Sequence, residues 1–302
     1  MKHPFYIVGA TATGKSEIAA AVAQNCDGEI VSADAFQIYA GLDLLTAKPP
    51  EELRGLVRHH LIGSVDPAVE MNAAEFRRLA LAAIAKIHAR GKHAFVVGGS
   101  GMYLKALTHG LSPLPAASES LRTQLNQLSE GELLVRLRAV DPVTARAIDA
   151  QNKRRLVRAV EICQLTGRPA SAQRLREESI PAPAGVFVFR ERDDLYARIN
   201  ARVQSIFAQG VADEVRAAAE QGTTAAQTLG LRQIRELLAG KISEPECIAQ
   251  LQQATRHYAK RQLTWFQRQT NFEPLNLSHH GSSDAIEWIS RKARLSFTTP
   301  NV

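Results

Sequence analysis

Residues 5–24 read "FYIVGATATGKSEIAAAVAQ", and the two changes of character inside this stretch decide the fold. Phe5 to Val8 is a short apolar run closed by glycine, the pattern of a buried strand. Glu17 to Gln24 carries Ala, Ile and Val without a breaker, the pattern of a helix. Between them stands Gly9, Ala10, Thr11, Ala12, Thr13, Gly14, Lys15 and Ser16, which has the form G-x-x-x-x-G-K-S. Gly9 and Gly14 let the backbone turn with no Cβ in the way, so successive N–H groups converge on phosphate oxygens. Lys15 brings a point charge to the outermost phosphate, and the Ser16 hydroxyl is placed to ligate a Mg²⁺ that bridges two phosphates. The anion then sits at a helix N-terminus, where the peptide dipoles favour it. Any diphosphate or triphosphate satisfies this loop, so the motif leaves the ligand open.

Working outward, further runs rich in Val and Ile end in small or polar residues: "EIVSADA" (29–35), "HLIGSV" (60–65), "AFVVGGS" (94–100) and "GVFVFRE" (185–191). Between the second and third lies "NAAEFRRLALAAIAKIHARG", with Asn72 as N-cap, Glu75 at the capping-box position and Gly91 closing the helix. Strand and helix in alternation predict an α/β fold, a P-loop NTPase-like parallel sheet covered by helices. Residues 116–178 read as helix only, from "LSPLP" to "TGRP", which predicts an inserted all-helical domain in a core of residues 1–115 and 179–302. After the 185–191 strand come helices only, and the last residues, "RKARLSFTTPNV", are expected to fray.

The chain has 302 residues, 45% of them hydrophobic and 22% charged, enough for a large core and a second unit. No stretch has the length of a membrane span, and the N-terminal apolar run carries the phosphate loop itself, so no leader and no membrane attachment are expected. Cys26, Cys163 and Cys247 are scattered without a C-x-x-C pair. That argues against structural zinc or a disulfide framework and fits a reducing cytoplasm. The net charge of +7 suits a polyanionic partner as well as an ordinary basic surface.

Ligands of such a sheet lie at the carboxyl ends of its strands. Asp34 stands there, and three roles are open to it: holding Mg²⁺ through water, accepting a proton from an attacking group, or capping the next turn. Ser100, after "VVGG", offers a hydroxyl beside close-approaching backbone. No apolar run ends in the acidic pair with which a nucleotide hydrolase orients water. Basic residues cluster in "NKRRLVRAVE" (Lys153, Arg154, Arg155, Arg158) and in "RHYAKRQLTWFQRQ", where His257, Lys260, Arg261, Thr264 and Arg268 share one side of a helix and Tyr258 and Trp265 the other.

The ordered set "GATATGKS", "SADAFQIYAGLDLLTAKP", "HLIGSVDP", "NAAEFRR", "VVGGSGMYLKAL", "GLSPLP", "DPVTARAI", "NKRRLVRAVE" and "YAKRQLTWFQR" resembles the tRNA dimethylallyltransferase (tRNA isopentenyltransferase) family in its bacterial form, from the first strand to about residue 270. The resemblance implies that the loop, Gly9 to Ser16, holds the diphosphate of dimethylallyl diphosphate together with Arg202, that Mg²⁺ sits on Ser16, and that the prenyl group passes to N6 of the adenine beside the anticodon. It implies catalytic roles for Asp34 as general base, Lys15, Ser100 and Arg202. It assigns tRNA contacts to Asp34, Ala35, Phe36, Gln37, Ser100, Arg122, Arg154, Arg155, Leu156, Val157, Arg158, Gln227, Thr228, Leu229, Gly230, Leu231 and Arg232. The implied partner is the tRNA anticodon stem-loop, whose adenine is flipped out and gripped by the sheet domain and the insert, and the implied protein is a cytoplasmic monomer.

The chain departs from the family pattern at Ala35 (usually Ser), Leu45 (usually Gly), Ser100 (commonly Thr) and "TLGLRQ" (often "CVGYRQ"). Rival readings are a prenyltransferase of free adenine nucleotides, a P-loop kinase using Asp34 as base, and an RNA-binding module with a vestigial loop. The helical insert and the basic runs favour tRNA over the first.

Overall fold

A computed structural model of the chain describes residues 3–173, 183–269 and 271–298. Six strands, β1 (Phe5–Gly9), β2 (Gly28–Ala33), β3 (His59–His60), β4 (His93–Gly98), β5 (Gly185–Phe189) and β6 (Glu273–Asn276), form one parallel sheet in the order β3-β2-β4-β1-β5-β6. The helices are, in chain order, α1 (Lys15–Asn25), α2 (Asp43–Thr46), α3 (Glu51–Leu56), α4 (Ala73–Ala89), α5 (Gly101–Thr108), α6 (Glu119–Asn126), α7 (Glu130–Val140), α8 (Pro142–Ala147), α9 (Lys153–Thr166), α10 (Arg192–Ala208), α11 (Val211–Ala217), α12 (Leu231–Leu238), α13 (Glu244–Gln269) and α14 (Ser282–Thr298).

The chain divides into two compact units, residues 1–108 with 181–302, and residues 109–180. In the first, side-chain alternation along β1 separates two cores. Phe5 and Ile7 pack with Ile18, Ala19 and Val22 of α1 and Ala285 and Ile289 of α14, while Tyr6 and Val8 pack on the other face with Phe76 of α4 and Tyr103 and Leu104 of α5. The Phe76 and Tyr103 rings stack 4.0 Å apart. The helix after β1 therefore covers one face and the helix after β4 the other. The chain diverges between these two neighbouring strands, which opens a crevice at their carboxyl ends.

The second unit has its own core of Leu125, Leu133, Leu137, Leu156 and Val160. Asp141 caps α8 by accepting from Thr144 N (2.9 Å), and also accepts from Ser171 N and Oγ (both 2.8 Å). Burial works to raise its carboxyl, but those donors hold it down at about 2. Glu161, fully buried, accepts from Arg122 Nε and Nη2, Arg158 Nη1 and Ser118 N at 2.6–3.1 Å. Arg158 Nη2 also donates to Pro115 O (2.7 Å), so the "LSPLP" turn belongs to the helical unit, which begins several residues before the expected 116. The expected downstream boundary, 178/179, lies outside the described residues. Glu161→Ala is expected to destabilise this unit by about 2–3 kcal/mol, below the full cost of opening a buried pair because both guanidiniums reach solvent. Denaturant unfolding of the variant checks this.

Several sequence expectations need correction. The strand expected over 60–65 is two residues long, because Leu61 and Gly63 turn into left-handed backbone (φ 62° and 58°), and only an isolated bridge, Tyr39 to Val65, continues the pairing. The capping box at Asn72 is half made: Asn72 accepts from Ala74 N and Glu75 N, whereas Glu75 turns outward to Arg78. Residues 273–276 add an unexpected edge strand, where Pro274 is tolerated. The tail expected to fray is helical to Thr298, with Ala293 buried and Phe297 stacked on His93 (3.9 Å). Residues 299–302 lie outside the described residues.

Candidate active site

The phosphate loop links β1 to α1, and two of its own side chains and four from distant segments fix its shape. Thr13 Oγ1 and Lys15 Nζ both donate to Ala10 O (2.9 and 3.1 Å). Gln262, buried on α13, accepts from Thr11 N (2.9 Å) and donates to Gly99 O (3.0 Å), tying the loop to the end of β4. Arg190 Nε donates to Thr13 O, Arg198 Nε to Ala12 O and Arg202 Nη1 to Thr11 Oγ1, at 2.8, 3.0 and 3.0 Å. The carbonyls of Ala10, Ala12 and Thr13 are thus all engaged by side chains. Ala12 and Gly14 both have positive φ (63° and 87°); for alanine this is strained backbone of the kind binding loops hold.

Asp34 follows β2 and faces the loop. Its Oδ1 accepts from Phe36 N (2.9 Å) and Gln37 N (3.2 Å), so the turn-capping role is real. Its Oδ2 accepts no hydrogen bond from the described residues and is left for a ligand. Ser100 Oγ accepts from Ala35 N (2.9 Å), which pins the Asp34 turn to the end of β4, and Tyr258 lines the same crevice. Lys15, Ser16, Ser32 and Asp34 line one side of the crevice. On the other, Asp34, Thr11 and Arg202 meet an apolar wall of Leu45, Ile199, Val203, Ile206 and Leu251.

Burial pulls the Lys15 ammonium down to about 8; Asp34 opposes this and Arg202 adds to it. Burial likewise lowers the Arg202 guanidinium, against Asp34 and Glu17. Two cations crowded without a full set of anions are a site preloaded for a polyanion. Below pH 8 Lys15 carries its charge, and above it the free protein loses that charge. The kcat/KM for a diphosphate substrate is therefore expected to fall as pH rises through about 8. Lys15→Arg, which stays charged, is expected to lose that alkaline limb in a pH–rate profile. Gln262→Leu leaves Thr11 N and Gly99 O unpaired and is expected to cost about 2 kcal/mol with weaker diphosphate binding, read by thermal melts with and without diphosphate.

The family described as IPP transferase matches residues 37–269. The chain belongs to the IPP transferase family. It is 42% identical over 273 residues to tRNA dimethylallyltransferase 2 of Geotalea uraniireducens (strain Rf4), covering 87% of this chain and 88% of that one. It is similar in structure to the tRNA delta(2)-isopentenylpyrophosphate transferase of Staphylococcus epidermidis (TM-score 0.70, 30% identity, 97% of this chain and 99% of that one). It is also similar to a eukaryotic dimethylallyltransferase acting on tRNA (TM-score 0.79, 25% identity, 96% and 80%).

The residues that the family resemblance assigned to tRNA occupy very different surroundings. Asp34, Ala35, Phe36, Gln37 and Ser100 gather at the crevice, but both amide hydrogens of Gln37 are taken by Thr46 O and Ala47 O. Gln227 and Arg232 are exposed, and with Thr228, Leu229 and Gly230 they line one open groove. Arg154 and Arg155 are exposed and make no ion pair among the described residues. The side chains of Leu156, Val157 and Leu231 are buried in apolar cores. Arg122 and Arg158 are committed to Glu161.

On α13 the two sides also need redrawing. Trp265 lines one open groove with Lys260, Arg261, Thr264 and Arg268, while Tyr258 turns to the crevice. The buried stripe is Thr255, Ala259, Gln262 and Phe266.

Sequence reasoning gave no site role to Gln262, Arg190 or Arg198. Arg190 had a signal in its place directly after β5, and Arg198 in its spacing of four residues from Arg202 on one helix.

Proposed function

We propose that this chain transfers the dimethylallyl group of dimethylallyl diphosphate to N6 of the adenine 3′ to the anticodon (position 37) of tRNA, giving N6-isopentenyladenosine and diphosphate. The observation that carries the reading is the crevice in which a phosphate loop, two enclosed cations and an apolar wall meet the open carboxylate oxygen of Asp34. A phosphate pocket alone suits many substrates. An apolar wall beside it suits a phosphorylated hydrocarbon.

The loop amides, Lys15 and Arg202 bind the diphosphate and stabilise the charge that grows on it as the allylic C–O bond breaks, its electron pair leaving on the diphosphate. Their positions are set before the reaction by Gln262, Arg190 and Arg198, so little reorganisation is needed. The N6 lone pair is delocalised into the ring and is a poor nucleophile. Asp34 Oδ2 orients the amine toward the allylic carbon and takes its proton as the N–C bond forms, while Oδ1 stays on the backbone of the turn. Ser100 holds that turn.

The hydroxyl of Ser16 makes no hydrogen bond among the described residues and shares the crevice with the Asp34 carboxylate. These are hard oxygen donors of the kind Mg²⁺ takes, and no group of three or more His, Cys, Asp or Glu among the described residues forms a site of its own. Ser16 would hold the ion with phosphate oxygens and water as its other ligands. When bound, it neutralises charge on the departing diphosphate. No helix among the described residues is long and apolar enough to cross a membrane. On this reading the protein works as a monomer in the cytoplasm, on the tRNA anticodon stem-loop.

The test is transfer of label from dimethylallyl diphosphate, with Mg²⁺, to unmodified tRNA, to AMP, and in parallel of the γ-phosphate of ATP to any acceptor. Label in tRNA supports the reading. Label in AMP alone moves the protein to the free-nucleotide class, and phosphate transfer revives the kinase.

A further inference from the structure

The crevice and the open groove that carries Arg232 share an edge. Thr228 and Leu229 line both, with Asp34 and Phe36 in the crevice and with Gln227, Arg232 and Lys241 in the groove. Where this edge stands decides how a strand lying in the groove delivers a base to Asp34.

The edge belongs to residues 222–230, whose own regular structure is a single turn of 3-10 helix, Ala225–Gln227. A stretch so short of internal hydrogen bonds takes its position from what it leans on, and it leans on residues 67–71. Gly222 N donates to Pro67 O (3.0 Å). A Cβ on Gly222 would fall 2.7 Å from Ala68 O, so the two backbones approach this closely only because the residue is glycine. Thr224 Oγ1 donates to Glu70 Oε2 (2.6 Å), a short bond to a charged acceptor, and holds the Glu70 carboxyl below its ordinary value. Ala225 is buried in one core with Tyr39 and Met71.

The stretch before Glu70 is bonded in turn to the residues that follow Asp34. Gly63 N donates to Gln37 O, and Ser64 N and Val65 N to Ile38 O, at 2.8–3.0 Å, while Ala40 N donates back to Val65 O (2.8 Å). Residues 34–40, 63–71 and 222–230 therefore lie as three adjoining straps. The middle one fixes the shared edge relative to the carboxylate. Glu70 itself lines neither the crevice nor the groove, and among the described residues no hydrogen bond joins it to the phosphate loop.

We propose that Glu70, acting through Thr224, is a positioning residue for the acceptor strand: it fixes residues 222–230 where a tRNA in the groove presents its adenine to Asp34. The inference rests on the tRNA-prenylation reading. Its signature is a defect toward one substrate only, because the diphosphate is held by residues that this contact does not reach.

The experiment measures kcat, KM for tRNA, and the separate Kd values for tRNA and for dimethylallyl diphosphate. The variants are Glu70→Ala, Thr224→Val, the two combined, and Glu70→Gln. Each single loss is expected to raise KM and Kd for tRNA about 3–10-fold, the scale of an exposed hydrogen bond to a charged group, with kcat and diphosphate binding unchanged. The combined variant should lose no more than either single one, since the two side chains make one contact. Glu70→Gln, whose amide oxygen can accept from Thr224, should restore most of the loss. A loosened fold would instead lower kcat or weaken both substrates together. Unchanged KM and Kd for tRNA in both single variants overturn the inference, as do a parallel loss of diphosphate binding or additive losses in the combined variant. A wild type that binds tRNA but transfers no prenyl group overturns the prenylation reading, and the Kd series for tRNA still decides the Glu70 contact.

Discussion

Asp34→Asn is expected to lower the rate of prenyl transfer by about 10²–10⁴-fold while leaving the binding of dimethylallyl diphosphate largely intact. The two carboxylate oxygens have separate duties. Oδ1 accepts from Phe36 N and Gln37 N, and the amide oxygen of asparagine can do the same, so the turn keeps its shape. Oδ2 faces the crevice with no protein partner among the described residues, and there asparagine offers an N–H where the reaction needs an acceptor. The nucleophile loses both its orienting contact and the destination of its proton. Single-turnover rates give the first quantity and calorimetric titration of the diphosphate the second. A rate within tenfold of wild type would make Asp34 a turn cap only.

Lys15→Ala should be nearly as damaging, by a different route: a loss of about 10²–10³ in rate together with weaker diphosphate binding. Lys15 sits enclosed between Ala10 O, Asp34 and Arg202, where water screens it poorly, and its charge is close to the oxygens on which negative charge accumulates. Arg202 cannot replace it, because its Nη1 is anchored to Thr11 Oγ1. Alanine also leaves Arg202 without a like charge beside it. Lys15→Arg serves as the companion variant: it restores the charge but not the compact ammonium, so partial recovery is expected. The split between the two variants is measured as kcat/KM for the diphosphate at pH 7. Equal rates for Lys15→Ala and wild type would remove the loop from the chemistry.

These two residues were the legible part of the site, and the reason is physical. A phosphate loop is built from consecutive amides, so its whole specification lies in eight adjacent residues. Asp34 and Ser100 stand at fixed distances after apolar strands, and a parallel sheet brings all strand ends to one edge. The residues that sequence reasoning missed act across long separations. Gln262 meets Thr11 across 251 positions, and nothing in the local composition of α13 sets this glutamine apart from its neighbours in a polar helix.

The same limit applied to the fold. The edge strand β6 is four residues with a proline, too short and too polar to announce itself. The final helix α14 is specified by the face of α1 it covers rather than by caps of its own. In the helical unit, Arg122 and Arg158 looked like free cations because their partner, Glu161, becomes a buried carboxylate only when α6 and α9 pack together. A basic run in a sequence counts charges. It does not say which of them are already neutralised.

The most direct test of the central claim is nucleoside analysis of unmodified tRNA treated with the purified protein, dimethylallyl diphosphate and Mg²⁺, with each modified position mapped by nuclease digestion and mass spectrometry. The account predicts N6-isopentenyladenosine at the adenine 3′ to the anticodon and nowhere else, lost with Asp34→Asn. Unmodified tRNA after treatment with a protein that binds the diphosphate, or a prenyl group on any other base, would contradict it.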